Sequence, residues 1–248
     1  MVREGNGVGD MYAPEVPSEC VAPSYDGGVD PVALASEALI HAGRRLGARG
    51  LISAGEGNLS LRLDADRLLV TPAGMRKDEL TIDDMVVVWL DHPGRDSHSR
   101  SGRAPTSDLA IHLAIHRARP DITAAAHAHL PSSMGLTLAG EIPDPSALPE
   151  TASLLPRLPF VSIGVPGSEE LATRVAAALT EPPEPLASAV LLERHGAVAV
   201  GSDAAHAVDR LELVEVLCRA WRDALLIRAA RANLGIVSPP SPGSHSEK

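Results

Sequence analysis

Ile122-Thr123-Ala124-Ala125-Ala126-His127-Ala128-His129-Leu130-Pro131 is the stretch on which the fold turns. Ile122 to His129 reads as a strand, and Pro131 ends it and opens a helix. Alternate residues of a strand point to one face, so His127 and His129 project together. Two imidazoles at this spacing can bind one ion without bending the chain, and imidazole suits Zn²⁺ and its neighbours in the transition series. The proline places the pair at the rim of a sheet.

Upstream, Asp30-Pro31 starts a helix, with Asp30 as N-cap and Ala35, Leu39, Ala42 and Leu46 as its apolar stripe, ended by Gly47 and Gly50. Leu59 to Leu63 alternates like a half-buried strand, and Leu68 to Thr71 returns beside it. Met85 to Leu90 is a continuous apolar run, as in a buried strand. A polar loop over 91–105 leads to Thr106, Ser107 and Asp108, which cap a helix running to about Arg119 and stopped by Pro120. Downstream, Leu158 to Ile163 reads as a strand and Ser168 to Leu179 as an amphipathic helix. Two strands, Ala189 to Glu193 and Ala197 to Val200, flank the turn at Arg194-His195-Gly196. Ser202 caps a long last helix to about Arg231. Strands and helices alternating in this way predict a single α/β domain over 30–235, layered around a central sheet. Residues 1–29 and 236–248 are rich in Gly, Pro and Ser and lack a periodic apolar face, so they read as a flexible arm and tail.

Composition narrows the function. The chain has 248 residues, 44% of them apolar and only 2% aromatic, so the core is built from Ala, Val, Leu and Ile. A formal net charge of −10 argues against a nucleic-acid binder. No apolar run approaches the ~20 residues that span a membrane, and no signal segment opens the chain, so a cytoplasmic protein is expected. Two of the 22 basic residues are lysines, Lys77 in a charged stretch and Lys248 at the end, which leaves little for Schiff-base chemistry. Cys20 and Cys218 form no disulfide framework.

His195 is the third candidate ligand, because an apolar strand runs into its charged turn and Gly196 permits close approach. His112 and His116, spaced i, i+4 on a helix, read as a satisfied or solvent-facing pair. Three further segments read as anion-binding turns: Gly55-Glu56-Gly57-Asn58-Leu59-Ser60, Thr71-Pro72-Ala73-Gly74 and Pro105-Thr106-Ser107-Asp108. Their small residues expose backbone N–H groups, their hydroxyls add donors, and the third opens a helix. Gly55-x-Gly57 enters a strand rather than a helix, so it is no dinucleotide fingerprint.

From about Ser53 to Trp221 the chain resembles the class II aldolase/adducin-head family. The resemblance is carried in order by Gly-Asn-Leu-Ser at 57–60, Thr-Pro-Ala-Gly at 71–74, Pro-Thr-Ser-Asp at 105–108 and Arg-Pro-Asp at 119–121. It continues through His-Ala-His at 127–129, Pro-Gly-Ser-Glu-Glu-Leu at 166–171 and Arg-His-Gly at 194–196. It implies a three-layer α/β/α domain with a central, mostly antiparallel sheet. It makes His127, His129 and His195 the ligands of Zn²⁺, with Fe²⁺, Mn²⁺ or Co²⁺ as alternatives. It places a phosphate or carboxylate of a small substrate near Gly57, Asn58, Thr71, Gly74, Thr106 and Ser107. Asp108 takes the acid/base or fourth-ligand position. The activity implied is cleavage of a small ketose phosphate through a metal-stabilised enediolate, in a homotetramer.

Three departures from the family pattern bear on this. Aldolase members carry Glu where this chain has Asp108, Ala73 replaces a hydroxyl residue, and no tyrosine follows Tyr25 to serve as the proton donor. Glu150, in a proline-flanked loop, is the candidate substitute. Dehydration, decarboxylation, epimerisation or iron-dependent oxygenation at the same metal site are the alternatives to aldol cleavage. A non-catalytic adducin-like module is the third.

Overall fold

Short apolar runs separated by capped helices fold here into one sheet between two helical layers. The computed structural model describes residues 30–91 and 97–235. The expected arm over 1–29 and tail over 236–248 lie outside them.

The deciding stretch becomes β4 (Ala124–Ala128), the middle strand of seven. The others are β1 (Asn58–Arg62), β2 (Arg67–Val70), β3 (Val86–Trp89), β5 (Phe160–Val161), β6 (Ala189–Leu192) and β7 (Gly196–Gly201), in the order β3-β2-β1-β4-β7-β6-β5. Every pairing is antiparallel except β5 with β6. The helices are α1 (Pro31–Ala48), α2 (Leu109–Ala118), α3 (Pro131–Leu138), α4 (Pro149–Leu154), α5 (Glu169–Thr180) and α6 (Ala204–Asn233).

Alternation along the central strands sorts the two layers. Ala124, Ala126 and Ala128 of β4 and Ala197 and Ala199 of β7 face one core, with Leu39 and Leu46 of α1 and Leu211 and Val214 of α6. These small side chains let the 30-residue α6 lie close against the sheet. Ala125, Val198 and Val200 face the other core, with Ile111 and Ile115 of α2 and Leu171, Val175 and Leu179 of α5. Each fully buried Leu or Ile stabilises the fold by about 1.5–3 kcal/mol. Arg119 fixes the second layer at its edge. Its guanidinium holds both Asp121 oxygens at 2.7 Å and donates to the Leu179 and Ala187 carbonyls.

Asp30 caps α1 as expected, accepting from Val32 N at 2.9 Å. Four expectations are revised. The last helix is capped by Asp203, whose side chain accepts from His206 N, rather than by Ser202. The strand expected over Leu158 to Ile163 shortens to Phe160–Val161, an edge pair flanked by Pro159 and the exposed Ile163. The proline-flanked loop around Glu150 is the short helix α4, which Pro149 opens. Asp108 occupies the N-cap position of α2 but makes no capping bond, and its carboxylate turns elsewhere.

Candidate metal centre and anion cleft

Register brings the site together. Asn58 on β1 pairs with His127 on β4, and Ala128 pairs with Ala197 just past the β6–β7 turn that carries His195. Arg194 (φ 57°) and Gly196 (φ 95°) take left-handed backbone there. At Gly196 a β-carbon would stand 2.1 Å from the Ala128 carbonyl, so only glycine lets the turn lie on the end of β4.

The three imidazoles meet in consequence. Their ring centroids lie 4.8–5.0 Å apart, and one nitrogen from each falls within 4.8 Å of the others. His127 is fully buried. Its Nδ1 donates to the Ala197 carbonyl at 3.0 Å, so Nε2 presents a lone pair. That Nε2 is buried without a partner. Burial, and then its neighbours His195 and His129, push His127 down to about 3. Burial and His129 also lower His195. Neutral imidazoles are the ligating form, and an orphaned buried nitrogen facing two more imidazoles fits a transition-metal ion. His129 turns its Nδ1 toward Glu56, 3.4 Å away. A carboxylate behind a ligating imidazole orients the ring and raises its basicity.

A cleft of about 280 Å³ opens beside the trio. Gly57, Asn58, Gly74, Thr106, Ser107, Asp108, His129 and His195 line it. Thr71, expected at the anion site, lies behind it: the residue is fully buried, and its Oγ1 accepts from Leu59 N. Ala73 lies in the wall without a hydroxyl. Glu150 stands exposed in the first turn of α4, outside the residues that line the cleft. Arg194 pairs with Glu193 at 3.5 Å. Asp108 accepts from the Asn58 amide at 2.8 Å through Oδ2, while Oδ1 is buried without a partner. Burial alone would raise this carboxyl; His127, Asn58 and His195 outweigh it and hold it below the usual carboxylate range.

Two cleft residues escape a reading of the sequence. Glu56 is one, visible only as an acid between two glycines. Lys77 is the other. Its charged neighbours suggest a surface, yet the residue is 1% exposed. Its Nζ donates to the Gly55 carbonyl at 2.8 Å and to the Met75 carbonyl at 2.5 Å, tying together the two turns that wall the cleft. Burial pushes its ammonium down to about 8, against the pull of Asp108.

The model of the class II aldolase and adducin N-terminal domain matches residues 37–222. The chain belongs to that family. The methylthioribulose-1-phosphate dehydratase of Acidiphilium cryptum is 30% identical over 199 residues, which cover 76% of this chain and 90% of that one. The 3-oxo-tetronate 4-phosphate decarboxylase of Haemophilus influenzae is 31% identical over 187 residues, 72% of this chain and 82% of that one. Among solved structures, L-fuculose-1-phosphate aldolase from Thermus thermophilus superposes with a TM-score of 0.66 at 27% identity, covering 81% of this chain and 97% of that one. This class II aldolase family protein is therefore an enzyme of a metal-dependent family. No helix among the described residues is long and apolar enough to cross a membrane.

Proposed function

We propose that this enzyme is a metal-dependent lyase acting on a small ketose phosphate, and that it eliminates water from it. His127, His129 and His195 hold the metal. A divalent ion there, Zn²⁺ foremost with Fe²⁺, Mn²⁺ or Co²⁺ as alternatives, supplies Lewis acidity to the substrate's oxygens. One observation carries the reading: Asp108 Oδ1 is buried and unpartnered, and the carboxylate lies within electrostatic reach of His127, whose Nε2 is likewise buried and unpartnered.

The chain's own residues then divide the work. Gly57, Gly74, Thr106 and Ser107 cradle the phosphate with backbone and hydroxyl donors, and the buried Lys77 adds a positive charge. Asp108 is ionised at neutral pH and takes the proton from the carbon beside the carbonyl. Asp108 then returns that proton to the hydroxyl on the next carbon, which leaves as water as the carbon–carbon double bond forms. The first reading from sequence, carbon–carbon cleavage, uses the same cleft. It is supported by the likeness to fuculose-phosphate aldolase, but needs a proton donor in place of the absent tyrosines. Elimination needs no group beyond the carboxylate and the metal, and the likeness to the dehydratase supports it.

The test offers the metal-loaded enzyme methylthioribulose 1-phosphate, L-fuculose 1-phosphate and 3-oxo-tetronate 4-phosphate in parallel. Loss of one water from the first, abolished by chelation and lowered about 10²–10⁴-fold in Asp108→Asn, is expected. Cleavage of the second without dehydration of the first would return the aldolase reading. Turnover of all three unaffected by chelation would reject both.

A further inference from the structure

Asp108, His112 and His116 recur every four residues, from the N-cap of α2 along one face of the helix. Asn58 and Ser60 recur every two along one face of β1. The two periodicities interleave. Asn58 Nδ2 meets Asp108 Oδ2 at 2.8 Å, and Asn58 Oδ1 meets His112 Nε2 at 2.6 Å. His112 Nδ1 meets Ser60 Oγ at 2.7 Å, and Ser60 Oγ meets His116 Nε2 at 2.9 Å. All five residues are buried.

The chemistry of the ends fixes the direction of every bond. A carboxylate only accepts, so the Asn58 amide donates to Asp108 and its carbonyl faces His112. His112 Nε2 therefore carries hydrogen. Its Nδ1 accepts from the Ser60 hydroxyl, whose oxygen in turn accepts from His116 Nε2–H. The chain ends on His116 Nδ1, buried and without a partner. Reversing the two outer bonds would make His112 cationic and leave a buried N–H donor at His116 unsatisfied, the costlier orphan. Burial disfavours the cations independently, and Arg62, which donates to the His116 carbonyl, opposes a charge on His116.

We propose that His112, Ser60 and His116 are positioning residues: a tautomer-locked hydrogen-bond chain that points every donor toward Asp108, holding Asn58 in one rotamer and the carboxylate where it meets substrate. Bonds aligned in one direction polarise one another, so the chain strengthens the charge-assisted bond from Asn58 to Asp108 at its end. This rests on the role given to Asp108 above. The chain's geometry is independent of that role.

Two measurements on the zinc-loaded full chain test it. Histidine ¹⁵N spectra at pH 7.5 are expected to show His112 and His116 as neutral Nε2–H tautomers; an Nδ1–H tautomer or a cation at His112 would overturn the chain. Kinetics with methylthioribulose 1-phosphate test its consequence. His112→Phe keeps ring shape and removes both bonds. It is expected to lower kcat at least tenfold with KM within about threefold and with full metal content. His112→Gln, which restores the donor to Asn58, should recover most of kcat, and Ser60→Ala should fall between. A folded, metal-loaded His112→Phe with kcat within twofold of wild type would overturn the positioning role. Should wild type turn over none of the substrates, the functional reading fails instead, and the tautomers alone decide the chain.

Discussion

Lys77 shows what a single residue adds once it is buried. Two of its three N–H donors are engaged by the Gly55 and Met75 carbonyls, and its charge lies near Asp108. Because burial brings it down to about 8, the ammonium is charged below that pH and neutral above it. The KM of wild type for a ketose phosphate should therefore rise as pH climbs through about 8. Lys77→Met should raise KM roughly ten- to a hundredfold at pH 7, the worth of a hydrogen bond to a charged group, and flatten that rise. A KM at pH 7 unchanged in the variant would remove Lys77 from the anion site. At this scale the sequence is legible where residues act through local spacing. His127 and His129 reveal themselves by i, i+2 alternation, and Thr106 and Ser107 by their place before a helix. Lys77 and Glu56 do not, because nothing local distinguishes a buried lysine from a solvated one. His112 and His116 read as a satisfied or solvent-facing pair; they are buried and hydrogen-bonded, which the sequence leaves open because their partners Asn58 and Ser60 lie more than fifty residues away.

Among the elements, the β6–β7 turn is the one on which the site depends most. Gly196 combines a φ of 95° with a β-carbon position 2.1 Å from the Ala128 carbonyl. Gly196→Ala should cost about 2 kcal/mol or more, from left-handed backbone plus the clash. Tm should fall by at least roughly 5 °C, and metal should be lost as His195 moves. Gly140→Ala provides the control. Its φ is 80° but its surroundings are open, so it reports the backbone contribution alone. Equal losses in the two variants would contradict the packing account. Element boundaries followed the sequence where caps and prolines mark them, as at Asp30-Pro31 and Pro131. They departed from it where tertiary contacts decide. Asp108 forgoes its cap because Asn58 offers the carboxylate a buried partner.

At the scale of the molecule, an α/β domain layered around a central sheet was legible because strand-like runs alternate with helices that carry apolar stripes; the three-layer, mostly antiparallel form was implied by the family resemblance. Strand order was not legible, since pairing β4 between β1 and β7 depends on contacts distant in the chain. The helical layer that holds α6 leaves Val216, Leu226, Ile227 and Leu234 exposed. Three exposed apolar residues along α6, with Leu234 at its C-cap, support the proposal that this face is buried between subunits of a homotetramer, the state the family resemblance implies. Light scattering should give about four times the 25.9 kDa chain mass; a monomer at micromolar concentration would contradict it. The central claim is that three imidazoles from β4 and the β6–β7 turn converge on one ion. Metal analysis of the purified protein, beside single alanine variants of His127, His129 and His195, tests it most directly. The account expects one divalent transition-metal ion per chain in wild type and its loss in each folded variant; a wild-type protein that takes up no such ion on reconstitution, or a His195→Ala protein that binds it as tightly, would contradict it.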